Sequence, residues 1–232
     1  MKQTMEGAPG RLSMELTLNH ISKRYRQDIV FSDVSASLGT GLCALIGENG
    51  SGKSTLLKML AGILLPDNGR VCLDGKDIRE LGSLYRRRIG YLPQTMGLYP
   101  DMTVEQYLFY IASLKGLRPI VAREDMRQIM EDIWDPEILK EGMSELSGGQ
   151  QKLVGIVQAR LGDPDILLLD EAMAELDRDR MFTVLKSLRA YADSHLVILS
   201  SHLTEDIVPL ADMVLKTGHG GLAYEKRNVW GV

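Results

Sequence analysis

Gly47-Glu48-Asn49-Gly50-Ser51-Gly52-Lys53-Ser54-Thr55 is the stretch of this chain best suited to chemistry. Gly47 and Gly52 bracket four residues and are followed by lysine and serine, the spacing of a loop that holds a phosphate chain. Glycines at 47, 50 and 52 let the backbone take positive φ and come close to an anion. The N–H groups of such a turn, running straight into a helix N-terminus, make an anion cradle that includes Asn49 and Thr55. Lys53 brings a full positive charge to the β- and γ-phosphate positions, and the Ser54 hydroxyl can ligate Mg2+. An ordinary glycine-rich turn before a helix is the plain alternative. The setting favours the cradle, because Leu42 to Ile46 reads as a buried strand and Leu56, Leu57 and Leu60 as a helical stripe.

Asp165 to Glu171 carries an uninterrupted apolar run into two carboxylates. Continuous apolar residues suit a parallel strand covered on both faces. Beside a phosphate loop, Asp170 is placed to hold the Mg2+ shell, and Glu171 to act as general base for a water attacking the γ-phosphate. Alone, Asp-Glu after a strand is merely a polar strand end.

Leu146-Ser147-Gly148-Gly149-Gln150 opens a helix with a capping box between Ser147 and Gln150. Two glycines in its first turn cost about 1 kcal/mol each against alanine, which implies that something approaches the backbone closely. The same helix start is a second anion site. Three single residues stay open on spacing alone. Tyr25 is a surface tyrosine or a platform for an adenine ring. Gln94 ends a strand, where a glutamine usually satisfies local backbone groups. His202 follows a strand whose carboxyl edge would face a ligand.

The elements that must position these residues follow from hydrophobic period. Met14, Leu16 and Leu18 alternate with polar residues, and Val30 to Leu38 alternates again. Two such strands before the loop predict a small antiparallel sheet, joined by a polar link containing Tyr25. Pro66 to Gly69 is a turn, and Arg70 to Asp74 and Ile89 to Leu92 are short strands. Arg86-Arg87-Arg88 between them is most simply a solvated face. Thr103 and Gln106 form a capping box before Tyr107, Leu108, Ile111 and Leu114 at helical spacing. A charged helix from Val121 to Trp134 comes next. After Glu171 follow a helix from Arg178 to Ala192, a strand from His195 to Ser200 and two short strands over 212–224. Residues 1–12 read as a flexible tail.

A length of 232 residues with 44% hydrophobic and 25% charged residues suits an ordinary globular domain. A net charge of -4 argues against a dominant nucleic-acid surface. Cys43 and Cys72 lie in apolar runs without zinc or redox spacing, as buried cysteines of a reducing compartment do. No apolar run approaches the ~18 residues of a membrane span, and the N-terminus lacks a signal-peptide core.

The glycine loop, Leu146 to Gln150, the strand ending in Asp170-Glu171, and His202 occur together and in this order. Over residues 13–224 the chain resembles the nucleotide-binding subunit of an ATP-binding cassette (ABC) transporter. The resemblance implies an α/β P-loop NTPase fold with a RecA-like core, an N-terminal antiparallel β-subdomain and an inserted helical subdomain. The core would span about 13–94 and 160–224 and the helical part about 95–159, all in one domain over 13–232. Tyr25 matches the adenine-stacking position, and Gln94 the loop that couples the ATP site to the membrane domain, a candidate for both catalysis and the metal shell. Asp177 matches the loop crossing the dimer interface and His202 the γ-phosphate contact. In that family two subunits pack head to tail, and ATP on one is capped by Ser147, Gly148, Gly149 and Gln150 of the other. The expected partners are therefore a second nucleotide-binding subunit, identical or different, and an integral membrane permease. The expected place is cytoplasmic, at the inner face of the membrane. No nucleic-acid partner is expected.

The stretch from Ile89 to Leu117 is most similar to bacterial exporter cassettes with a separate permease, as is a chain without a regulatory extension. Ala172-Met173 stand where the family usually has Pro-Thr, Glu175 where it has a small residue, and Arg178 where proline is common. Glu175 is expected to pair with a basic group across the interface. A soluble ATPase of the same class, acting on a ribosome, DNA or an assembly partner, is the rival reading. A nucleotide-gated module that scarcely hydrolyses is another.

Overall fold

The structure, a computed structural model, describes residues 14–226 apart from Leu98, Leu203 and His219. The tail expected over 1–12 lies outside the described residues. Two sheets share the molecule. The first is antiparallel, with β1 (Leu16–Tyr25), β2 (Asp28–Leu38), β4 (Asn68–Leu73) and β5 (Lys76–Asp77) in the order β2-β1-β4-β5. The polar link expected around Tyr25 is itself strand: Tyr25 ends β1 and pairs with Asp28, with Arg26 at φ 54 making the tight turn.

The second sheet contains β3 (Gly41–Ile46), β6 (Ile89–Leu92), β7 (Ile166–Asp170), β8 (Leu196–Ser200), β9 (Met213–Gly218) and β10 (Gly221–Lys226). Its order is β10-β9-β3-β8-β7-β6, parallel from β9 to β6, with β10 antiparallel at one edge.

The continuous apolar strands are explained by a core on each face. Leu42, Ala44, Leu167, Leu169, Val197 and Leu199 enter one cluster with the helical part of the chain. Their neighbours Cys43, Leu45, Ile166, Leu168, Leu196 and Ile198 enter the other. That second cluster also holds Leu16, Phe31 and Leu38 of the antiparallel sheet. It takes Leu56, Leu57 and Leu60 from α1 (Lys53–Leu60) as well. With the strand period of two, each alternate side chain needs an apolar partner, so no polar residue is tolerated within β7 or β8 before their ends.

Two short helices follow β5, α2 (Ile78–Leu81) and α3 (Ser83–Arg87). The arginine run is not one solvated face. Arg88 bridges Asp165 at 2.6 Å and Asp74 at 3.1 Å, tying the start of β6 to that of β7 and to the antiparallel sheet. Beyond it come α4 (Val104–Leu114), α5 (Pro119–Ile133), α6 (Gly148–Arg160), α7 (Arg178–Tyr191) and the short α8 (Thr204–Ile207). Thr103 caps α4 with the expected box, its hydroxyl accepting from the Gln106 N–H. Helices α4 and α5 pack on one another and on α6, which also lies against β6 and β7.

Candidate functional site

The carboxyl ends of β3, β7 and β8 lie side by side, and the candidate residues follow them directly. Such an edge is where open α/β sheets bind ligands. After β3 the backbone turns through Gly47, Gly50 and Gly52 at φ 155, 80 and 103. Gly52 is the N-cap of α1, and a Cβ there would stand 2.6 Å from Val30 and 2.9 Å from Phe31. No side chain caps α1, so its first N–H groups remain for a ligand.

Lys53 is buried at 6% exposure, yet its ammonium is held over the loop. It donates to the carbonyls of Gly47 at 2.8 Å and Glu48 at 3.1 Å. Ser54 and Thr55 are half-buried, and Asn49 and Gly50 are exposed. Gly47, Asn49, Gly50 and His202 line an open pocket of about 1110 Å³.

The two carboxylates have different surroundings. Asp170 is 1% exposed, and its Oδ1 accepts from the Ser200 hydroxyl at 2.7 Å. Its Oδ2 is buried without a hydrogen-bond partner. An unsatisfied buried carboxylate oxygen is costly, and it is the arrangement a cation would satisfy. That unpartnered oxygen of Asp170 fits a cation such as Mg2+. Nearby, burial and then the Asp170 charge push the Tyr91 phenol up to about 12, so this hydroxyl keeps its proton.

Glu171 sits at φ 50, a left-handed conformation uncommon for a residue with a side chain. Its N–H donates to the Ser200 hydroxyl at 2.9 Å. The side chain lies between Lys53 Nζ, 3.8 Å from Oε1, and His202 Nδ1, 3.0 Å from Oε2. Lys53, Glu171 and His202 thus form a connected line across three strand ends. Ser200 holds both carboxylates through one oxygen and was not singled out by sequence. Its signal was there: a hydroxyl closes an apolar strand two residues before His202.

The other expected residues stand apart from this line; among the described residues no hydrogen bond or ion pair joins them to it. Tyr25 is 47% exposed, with Lys23 Nζ 5.7 Å from its ring centre. Gln94 is exposed, and its carbonyl rather than its side chain is engaged, accepting from Lys152 Nζ. Asp177 caps α7, accepting from the Arg180 N–H at 2.9 Å. Ser147 caps α6, with its hydroxyl 3.3 Å from the Gln150 N–H and the Gln150 side chain 2.7 Å from its own N–H. The close approach expected at Gly148 and Gly149 exists, and the chain itself makes it. A Cβ on Gly148 would stand 1.7 Å from Glu175 Oε2, and one on Gly149 2.6 Å from the Glu175 carbonyl.

A glycine loop capped by a lysine and faced by two carboxylates at the edge of a parallel sheet defines a P-loop nucleoside triphosphatase. Residues 31–174 match the family described as ABC transporter. An uncharacterized ABC transporter ATP-binding protein of Bacillus subtilis, YxlF, is 33% identical over 90% of this chain and 70% of its own length. The molybdate/tungstate import ATP-binding protein WtpC of Methanocaldococcus jannaschii is 32% identical over 88% of this chain and 66% of its own. Among solved structures, the dimeric ATP-binding cassette MJ0796, in a post-hydrolysis state bound to ADP and Pi, superposes with a TM-score of 0.80. It covers 91% of this chain and 98% of that one at 22% identity, a likeness of fold. The chain belongs to the ABC transporter family, as an ATP-binding ATPase subunit.

Proposed function

We propose that this chain hydrolyses ATP between two head-to-tail subunits and so drives transport, in the export direction, through a separate membrane permease. The observation that carries the reading is the line Lys53–Glu171–His202 over the bare N-terminus of α1. The N–H groups of the glycine loop and α1 bind the phosphates, and Lys53 shifts from its two carbonyl acceptors to a phosphate oxygen. Ser54 and Asp170 would hold Mg2+, with Gln94 contributing to its shell; when bound, that ion supplies charge neutralisation to the phosphates. Glu171 orients the attacking water and takes its proton, while His202 holds Glu171 and reaches the γ-phosphate. Tyr25 stacks on the adenine.

Ser147 to Gln150 of one subunit face the nucleotide on the other, with Asp177 at the junction. The dimeric MJ0796 cassette with ADP and Pi supports this two-subunit reading by analogy of fold. Export rests on the resemblance of 89–117 to exporter cassettes, whereas the Methanocaldococcus relative is named for import.

The membrane role is supported by family membership, and no helix among the described residues is long and apolar enough to cross a membrane. The test is affinity purification of the full chain from a mild detergent extract. A co-purifying polytopic membrane protein is expected. Ribosomal or DNA-associated proteins in its place would contradict the transporter role and favour a soluble ATPase.

A further inference from the structure

We propose that Glu175 is a built-in competitor for the anion site at the start of α6, holding the chain back from ATP-driven pairing. The inference rests on the two-subunit reading above and adds a regulation to it. Helix α6 is 13 residues long, so its N-terminus carries a developed partial positive charge, with Ser147 as cap. The Glu175 carboxylate lies on that first turn, close enough that any side chain at position 148 would collide with Oε2. Its carbonyl closes on Gly149 in the same way.

Two further facts mark the contact as built. Glu175 takes φ 69, a left-handed conformation unfavourable for a residue with a Cβ, and this turn brings the 171–177 loop onto α6. The loop is then pinned beyond it. Arg180 pairs with Asp177 at 3.2 Å and stacks over Trp134 at the end of α5, 4.6 Å from the ring centre. Among the described residues Glu175 makes no ion pair, and its Oε2 stands against Gly148 at the helix start.

In the two-subunit arrangement, that helix start is where a phosphate bound to the partner subunit must come. Phosphate and carboxylate are like charges seeking one site, so closure requires Glu175 to leave Gly148 first. This is the opposite of a pairing with a basic group across the interface, in which Glu175 would aid closure.

The test uses the full chain carrying Glu171→Gln, so that slow hydrolysis lets ATP-bound assemblies accumulate. Self-association against ATP concentration is followed by sedimentation velocity, alone and with Glu175→Gln or Glu175→Ala added. A fluorescent ATP analogue checks binding to each. Both added changes are expected to lower the ATP concentration for half-maximal association, by about ten-fold. Glu175→Gln keeps the shape, so its agreement with Glu175→Ala assigns the effect to charge. Unchanged or weaker association in either would overturn the competitor, with the two-subunit reading left standing. No association in any variant, with the analogue bound, would overturn both.

Discussion

Ser200 shows how one small side chain sets two others. Asp170 and Ser200 are register partners across β7 and β8, so the hydroxyl at one strand end meets the carboxylates at the other. It donates to Asp170 Oδ1 and accepts from the Glu171 N–H, fixing the left-handed turn that aims Glu171 at Lys53 and His202. Ser200→Ala is expected to cost about 1 kcal/mol in urea unfolding, and to lower steady-state ATP turnover about ten-fold. Turnover equal to wild type would show that Asp170 and Glu171 need no such support. The phosphate loop was legible because its spacing is itself the chemistry: glycines for backbone approach and a lysine for charge. Ser200 was not, since its role exists only once the β7–β8 register is known. Nor was the occupant of the α6 start; the glycines announced a close approach, but Glu175 lies on a separate loop.

At the scale of elements, α6 is seated by contacts that leave no room for side chains. A Cβ on Gly90 of β6 would stand 2.0 Å from the Ala159 carbonyl oxygen, and one on Gly155 2.5 Å from Leu92. The obstacle at Gly90 is backbone and cannot turn aside. Gly90→Ala is therefore expected to destabilise by about 1–3 kcal/mol in chemical denaturation, against no loss if α6 could shift. The other end of α6 is capped from outside, where Lys115 donates to the carbonyls of Gln158, Ala159 and Leu161. Burial pushes its amine down from 10.5 to about 8, with the Asp125 charge opposing. Between those values the unfolded chain keeps a proton the folded chain has lost, so this group makes stability rise with pH across that window. Urea unfolding from pH 7 to 10 is expected to show that rise in wild type and its loss in Lys115→Met. Equal pH profiles would contradict it. In this region α4 and α6 were legible through their capping boxes and apolar stripes. Sequence shows Arg86 to Arg88 by charge alone, where Arg88 in fact spends its fork on Asp74 and Asp165, residues distant in the chain.

For the whole molecule, the helical part and the antiparallel sheet each pack on one set of alternating side chains of the parallel sheet, whose β3, β7 and β8 ends carry the candidate site. The fold class was legible because uninterrupted apolar strands, turns and a phosphate loop alternate with helical stripes in one consistent order. How the parts pack was less so: α6 carries the second motif at its start and core contacts along its length. Ligand binding should stabilise the whole, since a site assembled from separate strand ends exists only when they are folded together. ATP with Mg2+ is expected to raise the thermal midpoint of wild type and Glu171→Gln by several degrees, but not that of Lys53→Ala. The most direct measurement is phosphate release from ATP by wild type and Glu171→Gln, each at saturating nucleotide. The expected result is turnover by wild type and a loss of about 10²-fold or more in the variant, with ATP binding retained. Equal rates in the two would show that Glu171 is not the base, and that the line Lys53–Glu171–His202 is not the reacting centre.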